Sequence, residues 1–141
     1  MKKLLVVATI CFSILATSSL AEEKKGLNVL LTASDAQTQQ MAMVLSMMTL
    51  NKGKEVNMTL CSSAGDLAVK GMKSELLKPM NKSPKMMLRG IMKKGAKVEV
   101  CPLYLPNANK NESVLIKGIT VAKPSKVAAQ LLNDDFTTLS Y

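Results

Sequence analysis

Residues 95–102, GAKVEVCP, decide the fold that the sequence predicts. Gly95 is a residue type that ends helices, and the five residues from Lys97 to Cys101 alternate in the manner of a short strand. Pro102 has no N–H to donate to a sheet, so the strand is expected to end at Cys101. The stretch predicts a helix followed by a strand that carries a thiol at its carboxyl end.

The segment before this junction predicts a helix whose start and end signals agree. Ser83 is a favoured cap and Pro84 suits the first helical position. Lys93 and Lys94 precede Gly95, where positive charge favours a helix end. Apolar residues fall on one side of this helix: Met87, Leu88, Ile91 and Met92.

Two earlier segments predict strands. Residues 27–32, LNVLLT, form an almost continuous apolar run, which is typical of a strand buried on both faces of a parallel sheet. We interpret it as the first and central strand. Residues 55–61 alternate and end at Cys61, which makes them the second strand. The Ser34 to Gln37 spacing predicts a helix start between the two strands. The inward face of that helix is predicted to carry Met41, Val44, Leu45 and Met48.

The remaining segments are shorter. The Ser63 to Asp66 spacing predicts a short helix after the second strand. Two prolines and three asparagines in residues 102–111 predict a loop. Pro124 predicts the start of a last helix. The inward face of this last helix is expected to carry Val127, Ala128, Leu131 and Leu132. The other expected elements are a loop at 72–82, a helical turn at 112–116, an extended piece at 118–121 and a strand at 136–139.

This order of elements predicts an α/β fold: a mostly parallel sheet in three layers, with right-handed crossovers and helices on both faces. Sites in such sheets form beyond the carboxyl ends of the strands, near the point where strand order reverses. Cys61 and Cys101 are both expected there.

The first residues resemble an export signal. Lys2 and Lys3 precede an apolar core at residues 4–15, and Ser19-Leu20-Ala21 fits a cleavage site. The alternative is an uncleaved anchor, but the apolar core is shorter than the ~20 residues that a membrane-spanning helix needs. We therefore expect a signal peptide at 1–21, one domain at 22–141 and a periplasmic or secreted protein without a membrane segment after cleavage.

Composition excludes several classes of function. The chain has no histidine, which removes the Ser-His and Cys-His nucleophile pairs and imidazole metal sites. Two Phe, two Tyr and no Trp leave little for bases to stack on, so nucleic acid is not an expected partner. We predict no cofactor and no resident metal.

Positive charge is concentrated in one part of the chain. The net charge is +9, and residues 70–97 contain nine basic residues, with Glu75 as the only acidic one. Such a run is either a solvated surface or a docking surface for an acidic protein or a small anionic sulfur compound. The turn at Ser62, Ser63 and Gly65 is either an ordinary strand-to-helix turn or a place where backbone N–H groups meet an anion.

Residues 27–141 resemble the DsrE/DsrF-like family of small α/β proteins, which includes sulfur-relay subunits. The resemblance is carried by the basic helix leading into GAKVEVC, by LIKG at 115–118 and by PSKVA at 124–128. It implies a flavodoxin-like architecture, a homo-oligomer such as a trimer or hexamer, and a persulfide on Cys101. Many relatives have an Arg-Gly pair soon after this cysteine, and Lys117-Gly118 stands in its place.

A persulfide carrier needs a partly exposed thiolate, and positive charge nearby lowers a thiol pKa. Lys97 and Lys117 are the residues expected to supply that charge, and Cys61 is a possible second thiol. Sulfur passes between thiols by exchange, so no separate acid or base is needed. Whether such a protein is an enzyme in the turnover sense stays open.

Two alternatives also stay open. Cys61 and Cys101 can form a disulfide in an oxidising compartment or stay buried, which would make the protein a structural or interaction module. If the second and third strands flank the first, their ends lie about 9 to 10 Å apart, beyond the roughly 7 Å that a disulfide spans. The other alternative is Cu(I) binding, suggested by Met41, Met43, Met47 and Met48.

Overall fold

The structure is a computed structural model that describes residues 23–141. The predicted signal peptide lies outside the described residues. The strands are β1 (Gly26–Leu31), β2 (Glu55–Leu60), β3 (Lys97–Val100), β4 (Thr120–Val121) and β5 (Phe136–Ser140). The helices are α1 (Ala36–Asn51), α2 (Pro84–Lys93), α3 (Tyr104–Asn107) and α4 (Pro124–Leu131), with 3₁₀ helices at Ser62–Ala68 and Glu112–Val114.

The five strands form one parallel sheet in the order β4-β3-β2-β1-β5. The α/β class and the parallel sheet predicted from the sequence are confirmed. The predicted placement of the second and third strands on either side of the first is wrong, because β2 pairs directly with both β1 and β3. The central strand is β2, and β1 lies between β2 and β5.

The strand order places helices on both faces of the sheet. From β1 to β4 the chain moves in one direction across the sheet, so right-handed connections keep α1 and α2 on one face. The return from β4 to β5 carries α4 to the opposite face, where the buried Asn28 amide donates to the carbonyl of Gln130. The side chains buried most completely belong to β1, β2, β3, α1 and α2: Leu31, Met43, Met58, Leu60, Leu88, Ile91 and Val100.

The helix α1 presents a different face to the sheet from the one predicted. Its buried residues are Gln39, Gln40, Ala42, Met43 and Ser46. Small side chains at two of these positions allow close packing, and the buried Ser46 hydroxyl donates to the Ala42 carbonyl at 2.7 Å. As a result Met41 and Met48, predicted to face inward, are 53% and 51% exposed.

The start of α1 also differs slightly from the prediction. Its cap is Asp35, whose carboxylate accepts the Thr38 N–H at 2.6 Å, so the helix starts one residue later than the Ser34 spacing suggested. The cap of α2 is Ser83, as predicted, and its hydroxyl accepts the Met86 N–H at 3.2 Å. Pro84 occupies the first turn of α2.

One residue of the basic run is buried. The Lys85 ammonium donates to the carbonyls of Val69 and Met72, each at 2.7 Å, and is 7% exposed as a residue. Burial is the main cause that lowers the pKa of Lys85, with the nearby Arg89 charge adding to it. This lysine ties the 69–72 segment to α2 and is not part of a docking surface.

The side chains of α4 and of Leu132, which follows it, are more exposed to solvent than predicted. In α4 none of the residues is buried, and Leu132, which was expected to face inward, is 82% exposed. Helix α4 contributes only half-buried apolar groups such as Val127 and Leu131. Within residues 23–141, no helix is both long and apolar enough to cross a membrane.

Candidate functional site

Cys61 and Cys101 follow two paired positions of neighbouring strands. Leu60 and Val100 are partners in the β2–β3 ladder, so the next residue on each strand is a cysteine. The Cys101 N–H donates to the Leu60 carbonyl at 2.8 Å, and the Cys61 N–H donates to the Leu31 carbonyl at 2.8 Å. Backbone hydrogen bonds of the sheet therefore fix both cysteines at its carboxyl edge, side by side.

The two thiols are free and half-buried, and they lie close enough to interact with each other. Burial raises the pKa of the Cys61 thiol to about 12, and a side-chain hydrogen bond with Cys101 adds to this increase. The Cys61 thiol is therefore protonated at neutral pH. The separation of about 9 to 10 Å expected from the sequence does not apply, because adjacent strands lie about 4.8 Å apart.

The cysteines open into a cavity of about 490 Å³. One wall is the turn after β2, which supplies Ser62 and Ser63. The opposite wall is the segment after β3, where the sequence predicted a loop and the structure has α3. The residues of that segment at the cavity are Leu103, Tyr104, Asn107 and Ala108. Among the described lining residues none is charged.

Tyr104 is held in the cavity wall by two contacts. Its phenol donates a hydrogen bond to the Asp66 carboxylate, and its ring lies directly on Gly65. A Cβ atom at Gly65 would lie 2.3 Å from Cδ2 of that ring, so no other residue type fits without movement of the ring. Burial first, and then the Asp66 carboxylate, raises the pKa of Tyr104. Tyr104, Asp66 and Leu103 are site residues that the sequence reasoning missed.

The turn after β2 contains a residue in an unfavourable backbone conformation. Ser62 has φ +50°, which a non-glycine residue rarely adopts. It lies at the cavity immediately after Cys61 and starts a 3₁₀ helix instead of an α-helix. Of the predicted turn residues, Ser62 and Ser63 line the cavity, whereas Gly65 lies behind Tyr104 and makes room for its ring.

The two lysines proposed from the sequence lie away from the cysteines. Lys97 is at the amino end of β3, where its ammonium pairs with Glu55 at 3.2 Å. Lys117 precedes β4 and lines a separate groove with Arg89 and Lys93. Both lysines belong to the opposite edge of the sheet from Cys101, so the structure does not bring them to the thiols.

The expected relation to the strand reversal is also wrong. The strand order reverses between β1 and β5, whose carboxyl ends are joined by the Thr32 N–H donating to the Tyr141 carbonyl at 2.8 Å. The cysteines lie at the ends of β2 and β3 instead. They meet there because of direct strand pairing.

The described residues give little support to metal binding. No group of three or more Cys, Asp or Glu side chains within residues 23–141 is placed to hold a metal ion. Of the four methionines that suggested Cu(I), Met41 and Met48 lie on the exposed side of α1, whereas Met43 is fully buried in the core. No methionine is among the described residues that line the cavity.

No protein-family model and no curated protein sequence matches this chain. Several solved structures are similar, including three from different organisms. The YchN protein of E. coli has a TM-score of 0.62 and 18% sequence identity, and the match covers 84% of this chain and 99% of that one. A protein of unknown function from Methanobacterium thermoautotrophicum, MTH1491, has a TM-score of 0.60 and 7% identity, with coverages of 84% and 100%. A conserved protein of unknown function from Bacteroides thetaiotaomicron, BT1422, has a TM-score of 0.62 and 19% identity, with coverages of 83% and 95%. At these identities the similarity concerns the fold, and the fold shared with YchN is the DsrE-like α/β fold.

Proposed function

We propose that this chain is an exported DsrE-like protein in which Cys101 carries sulfur as a persulfide and Cys61 acts as the resolving thiol. The observation that supports it most is the contact between two free thiols at an open cavity. The resemblance of residues 1–21 to an export signal supports a periplasmic or secreted location.

The two cysteines have different roles in this proposal. Cys61 keeps its proton because burial and the contact with Cys101 disfavour its thiolate. Cys101 is therefore the nucleophile. Its thiolate attacks the outer sulfur of a persulfide donor, R–S–SH; the donor S–S bond breaks, RS⁻ leaves and Cys101–S–SH forms.

The bound sulfur then has two routes out. An acceptor thiolate that attacks the outer sulfur takes it as a new persulfide and leaves the Cys101 thiolate. Alternatively, Cys61 loses its proton to solvent and its sulfur attacks the Cys101 sulfur, which releases HS⁻ and forms a Cys61–Cys101 disulfide. An external dithiol must then reduce that disulfide. Neither route uses a cofactor.

The same contact supports a second candidate, a structural module in which Cys61 and Cys101 stay joined as a disulfide. Intact mass of the reduced protein after exposure to polysulfide separates the two functions. The carrier gains the mass of one or more sulfur atoms on a Cys101 peptide, and Cys101→Ser removes the gain. If wild type only loses two hydrogens and the Cys61→Ser variant, in which the disulfide cannot form, gains no sulfur, the protein is not a carrier.

We further propose that the chain forms a homo-oligomer through α1. The 16 residues of α1 include no charged side chain, although the chain as a whole carries a net charge of +9. Its solvent side presents Met41, Leu45 and Met48 at helical spacing. A second copy can cover this apolar stripe without burying a charge, whereas contact through the basic surface would bring like charges together.

A further inference from the structure

The cavity beside the two thiols differs from a site for an anion. Its lining consists of the cysteines, two serines, the Asn107 amide and apolar groups from α3 and the residues next to it. The exposed side of Leu103, which is 69% accessible, forms part of the rim. A doubly charged ligand would leave water for a mostly apolar surface with no counter-charge, and that transfer is unfavourable.

Charges behind the walls do not change this conclusion. The Asp66 carboxylate lies behind Tyr104 and accepts its phenol proton, so the charge closest to that wall is negative. The Lys110 ammonium lies on the other side of α3, where it donates to the Ala108 carbonyl at 3.3 Å. The predicted cationic residues Lys97 and Lys117 are at the opposite edge of the sheet.

We infer that the sulfur donor of this site is an uncharged form of zero-valent sulfur, such as elemental sulfur or a neutral polysulfane, instead of thiosulfate, tetrathionate or another anion. The inference rests on the proposed function and names its substrate class. The cavity volume of about 490 Å³ accommodates a ring or chain of several sulfur atoms. Soft, polarisable sulfur is well suited to contact with thiols, aliphatic groups and an aromatic ring.

The loading step with elemental sulfur balances without a further reactant. The Cys101 thiol loses its proton to solvent, and the resulting thiolate attacks one sulfur of the S₈ ring. One ring S–S bond breaks, and Cys101 carries a linear chain that ends in a sulfur anion, with no atom leaving. Attack by Cys61 on the Cys101 sulfur then releases this chain as a polysulfide and forms the disulfide, which an external dithiol reduces.

The test compares the rates at which dispersed S₈ and tetrathionate modify Cys101, each followed by intact mass. The ratio of the S₈ rate to the tetrathionate rate is divided by the same ratio measured for a small uncharged thiol, N-acetylcysteine amide. This division corrects for the difference in intrinsic reactivity between the two reagents. We expect the folded protein to favour S₈ by about tenfold more than the small thiol does. An equal or lower preference would overturn the inference.

Two variants at the rim make the comparison internal to the protein. Leu103→Lys adds a positive charge, and Leu103→Gln is the matched variant that loses the apolar group without adding charge. Position 103 is 69% exposed, so both variants should leave the fold intact. We expect Leu103→Lys to react about fivefold faster with tetrathionate than Leu103→Gln does. Equal rates would contradict an electrostatic exclusion of anions.

The outcomes also separate the inference from the proposed function. Modification of Cys101 that is faster with tetrathionate leaves the carrier function standing and removes only the uncharged substrate. Failure of both reagents to modify Cys101, or a mass gain that survives Cys101→Ser, removes the carrier function itself.

Discussion

Cys61 and Cys101 lie side by side at the end of the β2–β3 ladder because Leu60 and Val100 are paired, each strand ends at that residue, and a cysteine follows each strand. The two cysteines are far apart in the sequence, and the parallel pairing of β2 with β3 brings them together. The Cys101 N–H to Leu60 carbonyl hydrogen bond of 2.8 Å is the interaction that holds this register at the site.

Mild oxidation of the reduced protein should form an intramolecular Cys61–Cys101 disulfide. Adjacent strands lie about 4.8 Å apart, close to the Cα separations that disulfides span. The expected readout is the loss of two hydrogens from the monomer, and closing the loop should raise the free energy of unfolding by about 2–4 kcal/mol. Cys61→Ser and Cys101→Ser are the controls. Oxidation that yields only disulfide-linked dimers would contradict the contact between the thiols.

The stability of the reduced protein should fall with pH in the range where Cys61 ionises. The pKa of Cys61 is raised, so the fold disfavours its thiolate. The stability associated with protonated Cys61 is fully present below the ordinary thiol pKa near 9.0 and is lost as pH rises toward about 12. As pH increases above 9, the melting temperature of reduced wild type should therefore fall more than that of reduced Cys61→Ser. Parallel curves would show that Cys61 is not disfavoured as a thiolate.

Gly65→Ala should disturb the cavity wall. The new Cβ would lie 2.3 Å from the Tyr104 ring, so the ring must move, at a cost of about 1–3 kcal/mol in unfolding free energy. The rate at which Cys101 reacts with a neutral alkylating agent should change as well.

Gly90→Ala is the matched control for that experiment. Gly90 is in α2, and its Cβ would only approach the end of the flexible Met47 side chain, at 3.4 Å. Alanine is the better helix former, so this variant should be as stable as wild type or more so, by up to about 1 kcal/mol. Equal destabilisation by both substitutions would contradict the specific contact between Gly65 and Tyr104.

Replacing both Met41 and Met48 by glutamate should prevent self-association. Each substitution places a charge on the exposed stripe of α1, and two copies would then bury like charges against each other. Light scattering coupled to size-exclusion chromatography should show a monomer for this variant and an oligomer for wild type. Leu132→Glu, at a position that is 82% exposed on another part of the molecule, is the control and should leave the oligomer intact. A double variant that remains oligomeric would show that α1 is not the interface.

Some of the fold could be predicted because its signals are local. Ser83 and Pro84 define the start of α2, and the alternation from Lys97 onward ends at Cys101, where the structure ends β3 one residue earlier. The class of the sheet follows from the order of such elements. Both cysteines were therefore placed correctly at carboxyl ends of strands.

Strand order and the packed face of α1 could not be predicted in the same way. Periodicity along one strand does not identify the strand that pairs with it, so β2 was placed beside β1 but not beside β3. In α1 the apolar residues are spread around the helix, and the tight packing of Ala42 and Ser46 decides which side faces the sheet.

The cavity wall was missed because its residues resemble a loop. Pro102 and Pro106 indicated irregular structure, yet Pro106 is in the first turn of α3, where a backbone N–H is not needed by the helix. The signal that was available is Tyr104, a buried aromatic residue in a chain with only two Tyr and two Phe. Its pairing with Asp66 depends on tertiary structure.

The fate of one bound sulfur atom tests the central claim most directly. Reduced wild type and Cys61→Ser are each loaded with one sulfur on Cys101, freed of donor and followed by intact mass together with a sulfide assay. The account predicts that wild type releases one sulfide per chain and forms the Cys61–Cys101 disulfide, while Cys61→Ser retains its persulfide at least about tenfold longer. Equal persistence of the persulfide in the two proteins, or loading that does not depend on Cys101, would contradict it.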